Sequence, residues 1–193
     1  MKTDYAVSDL IEEVTRAHVN ILARVNDELE RLTEVQKSWK PAADQWSIVE
    51  CLAHLNLSNT YYIRQIQKKT DDARRVEVNP GDKRFSMSAN GKLMLKVLDP
   101  ASKMKIPAPL SARPRSNPDP NAVFERFNEL ENLFLELVPQ TAKLDLEQEK
   151  VISPFVSWLK FRVGDVLLFL TAHTQRHVNQ AFRVMQAPNF PLT

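Results

Sequence analysis

Apolar residues return every three or four positions through four long segments of this chain, a spacing that hides one stripe of a helix. Glycine tightens the constraint. Only three occur in 193 residues, so tight turns are few and long helices must carry the fold. The first segment runs from about Tyr5 to Gln36, with Leu10, Val14, Ala17, Ile21 and Val25 on one face, and it stops around Pro41. The second starts at Ser47, a good N-cap, and Glu50 three residues on completes a capping box. Trp46 and Cys51 take the positions of a hydrophobic staple. Ile48, Leu52, Leu55, Tyr62 and Ile66 mark its buried stripe, which fades near Arg75. The third begins near Asn121, behind an Asp119-Pro120 stop signal, and carries Val123, Phe127, Leu130, Phe134 and Leu137 up to Pro139. A connector around Ser153-Pro154 leads to the fourth, roughly Gly164 to Met185. The expected fold class is all-α, one domain over residues 1–193, with no sheet of consequence.

Between the second and third helices the chain changes character. Six of its twelve prolines fall between Pro100 and Pro120, and one short helix, around Ala89 to Leu98, interrupts an irregular excursion. A connection this long inside a compact domain is usually a lid, a binding loop or an arm. It is also basic: residues 64–115 hold thirteen Lys and Arg against five Asp and Glu, a net of +8 in a chain whose total is +2. Such a stretch either attracts an anion or is a solvated connector. Few aromatics interleave with the charges, so nucleic acid is not the expected partner. No run approaches the roughly 20 apolar residues of a membrane span, and Met1-Lys2-Thr3-Asp4 is not expected to open a signal peptide. A single cysteine, Cys51, excludes an internal disulfide framework and fits a cytoplasmic protein.

Chemistry is concentrated in the histidines. His173 and His177 stand four apart on the fourth helix, which puts their Cβ atoms roughly 5–6 Å apart on one face. That face is inward, because Leu170, His173, His177 and Ala181 follow steps of three, four and four. His54 lies on the second helix beside its buried stripe. Buried imidazoles need partners, so the three either bond to neighbours as core histidines or converge on one metal ion with a coordination position left open. His18 shares a face with Val14, Ile21 and Val25 and reads as structural. Thr174, not glutamate, follows His173, so this is not the metalloprotease motif. Glu50 is one turn before His54, but its capping role explains it more simply than a catalytic base. Cys51 reads as a packed small hydrophobe. No residue stands out as catalytic or as holding an organic cofactor.

Three stretches together resemble the DinB-like superfamily, with its YfiT-type metal-dependent hydrolases and thiol transferases. They are Trp46-Ser47-Ile48 through His54-Leu55, the Lys105 to Pro109 stretch, and His173-Thr174-Gln175-Arg176-His177, in the family's order over most of the chain. The resemblance implies an antiparallel four-helix bundle with a long crossover between helices two and three. It also implies a divalent metal on His54, His173 and His177; imidazole ligands suit zinc, nickel, copper or iron, with zinc or nickel expected first. Its chemistry would be hydrolysis or transfer to a low-molecular-weight thiol, with a small-molecule substrate. A homodimer is compatible with it, and a membrane role is not expected. The competing expectation is a non-catalytic binding or stress-response protein on the same scaffold.

Overall fold

The computed structural model describes residues 2–73, 83–99, 108–156 and 158–192. In chain order it runs β1 (Asp4–Ala6), α1 (Val7–Arg24), α2 (Glu34–Ser38), α3 (Ile48–Ala73), β2 (Arg84–Ser86), α4 (Ala89–Leu98), α5 (Pro120–Leu137), β3 (Lys150–Ile152), β4 (Lys160–Arg162) and α6 (Val163–Met185). The four long helices α1, α3, α5 and α6 form an antiparallel four-helix bundle, and the long crossover joins α3 to α5. The direction of α6 against α3 is visible in their contacts. Tyr62 packs edge-to-face on Phe169, Asn59 bonds Thr174, and His54 faces His173, so α3 ascends as α6 descends.

Each helix start has a local cause. At α3, Ser47 Oγ accepts from the Glu50 N–H at 3.2 Å while Glu50 Oε2 accepts from the Ser47 N–H at 2.9 Å, closing the capping box. At α5, Asp119 accepts from the N–H groups of Asn121 and Ala122, and Pro120 occupies the first turn, where its missing N–H costs nothing. The first segment differs from the single helix expected over Tyr5–Gln36. Tyr5 lies in β1, α1 ends in a five-residue π-helical turn at Val25–Leu29, and Thr33 caps the separate α2 with a reciprocal Gln36 bond. The Thr33 and Gln36 side chains offer backbone groups a local partner there, and that breaks a periodicity the apolar stripe would have continued.

The stretch around Ser153-Pro154 is the tip of a hairpin. β3 pairs antiparallel with β4, Val151 opposite Phe161, and β1 pairs with β2, Tyr5 opposite Phe85. All four of these central residues are buried, so the ribbons close one end of the bundle over the cluster that includes Leu10, Ile63, Phe134 and Leu167. A second cluster, with Ile21, Leu52, Phe124, Phe127, Val178 and Phe182, fills the other end. The crossover is fastened to α6 at Asp165, whose carboxylate accepts from the Ser88 N–H at 3.1 Å and the Ser88 hydroxyl at 2.6 Å. Gly91 lets α4 come this close, since a Cβ there would stand 2.1 Å from Asp165 Oδ1.

Candidate metal centre

At the second-cluster end, α3 and α6 bring His54, His173 and His177 together. Each offers one ring nitrogen, and these atoms lie within 4.8 Å of one another. The Nε2 atoms of His54 and His173 are 3.1 Å apart. Three nitrogens held tetrahedrally at about 2.0–2.1 Å from one zinc would be separated by about 3.3 Å. The His54–His173 pair already lies near that spacing. Among the described residues no carboxylate or thiolate joins this group.

Hydrogen bonding fixes which nitrogen His54 and His177 present. His54 Nδ1 lies 2.7 Å from the carbonyl oxygen of Ala112, which can only accept, so Nδ1 carries the proton and the lone pair sits on Nε2. His177 Nδ1 lies 3.0 Å from Gln180 Oε1 and donates to it, which frees its Nε2 as well. This is the arrangement of metal-bound histidines, whose second N–H is held by an outer acceptor. Ala112 ends a short 3₁₀ turn, Leu110–Ala112, so the crossover itself reaches into the site. Of the Lys105 to Pro109 stretch, residues 105–107 fall outside the described residues, and Ala108 and Pro109 lead into this turn.

The surroundings keep the imidazoles neutral. Burial lowers His54, with the Ala112 bond opposing, and lowers His173 well below the ordinary histidine range, with His177, His54 and Arg176 adding to the effect. His177 is held at about 3, first by burial and then by His54, against a raising bond from Gln180. Neutral rings are the protonation state a metal requires. Trp46 forms one wall, its ring 4.9 Å from that of His54 and 5.8 Å from that of His177.

The other singled-out residues lie elsewhere or have structural work. His18 is buried between α1, α5 and α6, with Nδ1 2.6 Å from Glu131 Oε2 and Nε2 3.1 Å from Thr171 Oγ1. Glu50 has both oxygens engaged, one by the Ser47 N–H and one by Lys40 Nζ at 2.9 Å, and so is no free base. Cys51 is buried and its thiol is pushed up by burial, which keeps it a packing residue. The places of Trp46, Ala112 and Gln180 at the histidine cluster were not read from the sequence. Gln180 carried a signal, because i+3 from His177 is a neighbouring position on one helix face. The Ala112 carbonyl carried none, because any residue supplies that atom.

The chain matches the model of the DinB superfamily over residues 17–181. Among solved structures it is similar to YfiT from Bacillus subtilis, described as "a probable metal-dependent hydrolase with an unusual four-helix bundle topology". That likeness has a TM-score of 0.57 at 12% identity and covers 91% of this chain and 86% of that one, so it concerns the fold. No match was found among curated proteins. With the family model spanning most of its length, the chain belongs to the DinB superfamily.

Proposed function

We propose that this protein is a metal-dependent enzyme in which His54, His173 and His177 hold one divalent ion, zinc or nickel, and act on a small molecule. The observation that carries the reading is the pair of Nδ1 bonds, to Ala112 and Gln180, which leave the Nε2 lone pairs of His54 and His177 free in a cluster whose ligand nitrogens, with that of His173, lie within 4.8 Å of one another. Bound there, a divalent ion would ionise a water or a thiol near neutral pH and so supply the nucleophile for hydrolysis or S-transfer. Neutral ligands and neutral outer partners leave the full positive charge in place, because no carboxylate stands in the cluster. Trp46 excludes water from one side and restrains two of the rings.

Among the described residues no free base stands in the cluster, and an ion-bound water or thiol would each ionise without one, so this does not separate hydrolysis from transfer to a low-molecular-weight thiol. The same lack supports a second reading, a non-catalytic binding or stress-response role on this scaffold. The proposal extends to one domain of residues 1–193, working in the cytoplasm, alone or as a homodimer. No described helix is long and apolar enough to cross a membrane. The test is the metal content of protein purified without a histidine tag, followed by parallel screens for thiol conjugation and for ester and amide hydrolysis. Turnover that needs the metal supports an enzyme; bound metal without turnover supports the binding role.

A further inference from the structure

A staple at the start of α3 needs only an apolar contact from Trp46, yet its ring also meets two of the histidines. Its backbone is fixed from the next residue. Ser47 and Glu50 bond reciprocally to cap α3, and Lys40 Nζ holds the other Glu50 oxygen at 2.9 Å. From there the indole reaches across the seam between α3 and α6. Its ring centroid lies 4.9 Å from that of His54 on α3 and 5.8 Å from that of His177 on α6, and it packs on the apolar cluster at this end. The planes are inclined by 42° and 36°, so neither contact is perpendicular. The three imidazoles, by contrast, meet one another close to edge-on, at 65°, 73° and 77°. Among the described residues no ring other than this indole joins them.

That contact gains weight when charge arrives. Beside neutral imidazoles an indole contributes packing and little else. Ligation of a divalent ion through the ring nitrogens spreads positive charge onto His54 and His177. An aromatic ring attracts positive charge within roughly 6 Å of its centroid, and tryptophan does so most strongly. Both imidazole centroids fall inside that distance. The cluster holds no carboxylate, so the charge is answered by the Ala112 and Gln180 oxygens at the Nδ1 edges and by the indole against the rings.

We propose that Trp46, beyond walling the site, is a positioning residue for the metal. Its indole holds the His54 and His177 rings at one mutual setting across the α3–α6 seam and favours their ion-loaded state over the ion-free one. This rests on the metal-dependent reading above. The two effects act on affinity and on coordination geometry, and they need the π system. Apolar bulk alone supplies neither.

The test compares untagged wild type, Trp46→Phe and Trp46→Leu. Zinc affinity is measured by competition with a chelator, coordination by the visible spectrum of the cobalt(II) form, and stability by urea unfolding of the metal-free proteins. Trp46→Leu keeps an apolar side chain without a π system, and it should bind zinc about tenfold more weakly. Its cobalt bands should shift as two rings lose their common support. Trp46→Phe should recover most of both, although it too loses packing. If the leucine variant does not fold, wild type grown on 5-fluorotryptophan takes its place, with the shape kept and π density withdrawn. Trp39 and Trp158 make no ring contact with the three histidines, so weakened zinc binding in that protein reports on Trp46. Zinc affinity and cobalt spectra that are the same in all forms would overturn the assignment while leaving the metal site standing. A loss in Trp46→Phe as large as in Trp46→Leu would also overturn it, by marking Trp46 as packing alone. Wild-type protein that retains neither zinc nor cobalt would bring down the metal reading, and this inference with it.

Discussion

The Nε2 atoms of His54 and His173 face each other at 3.1 Å across the bundle, although the two residues are 119 positions apart. Two imidazoles at that distance share one hydrogen at most, and His54 has already placed its proton on Nδ1 for Ala112. The close approach is stable only because both rings are uncharged, and burial is what keeps them so. Acid should therefore loosen this end of the molecule.

The sign follows from the lowered values. An unfolded chain takes up protons on these histidines near the ordinary 6.5, whereas folded His177 resists until about 3. The contribution is fully present above 6.5 and is lost as pH falls from there toward about 3. Urea midpoints of metal-free protein should drop across that range, and less steeply in His177→Asn. Equal slopes would show that the ring is not held neutral.

Gln180 should matter for metal affinity without touching the metal. Gln180→Leu removes the acceptor of His177 Nδ1 and should weaken zinc binding about 10- to 100-fold in competition with a chromophoric chelator. Gln180→Glu keeps an acceptor and should retain most of the affinity.

His18 and Glu131 should behave as a stability pair unrelated to the metal. Both are buried, and their 2.6 Å contact ties α1 to α5. Glu131→Ala leaves a core imidazole half-partnered and should cost about 3–5 kcal/mol in denaturant unfolding. Metal affinity measured below the melting point should stay unchanged.

Gly91 is a test of the crossover's attachment. A methyl there would sit 2.1 Å from Asp165 Oδ1, a carboxylate that two bonds from Ser88 hold in place. Gly91→Ala should destabilise by about 1–3 kcal/mol, against the gain expected from alanine's helix propensity. An unchanged or raised melting temperature would mean that α4 can back away from α6.

Much of this was legible in the sequence, for physical reasons. Helices announce themselves through periodicity, so α4 at Ala89–Leu98 and the start of α5 behind Asp119-Pro120 could be placed closely. The clustering of the three histidines was legible because two stand four apart on an inward helix face and the third lies beside the buried stripe of another helix. Other features have no local signature. β1 and β2 are three residues each and pair across about eighty positions, so no periodicity could develop. The break before Thr33 depended on side-chain caps that compete with a continuing apolar stripe. Trp46 was read as a staple for Cys51, and it does pack on the cluster containing Cys51. Its contact with His177 needed α6 in place.

The central claim is that His54, His173 and His177 form one metal site on a bundle that folds without it. Leu, Val, Ile and Phe side chains fill both buried clusters, so loss of the ion should not unfold the protein. The most direct measurement is a zinc titration of untagged, metal-free wild type and His173→Ala, with helix content followed by circular dichroism. The account predicts one ion per wild-type chain, binding lost in His173→Ala, and helical spectra that superimpose. Wild-type protein that binds no zinc or nickel, or a His173→Ala variant that binds as tightly as wild type, would contradict it.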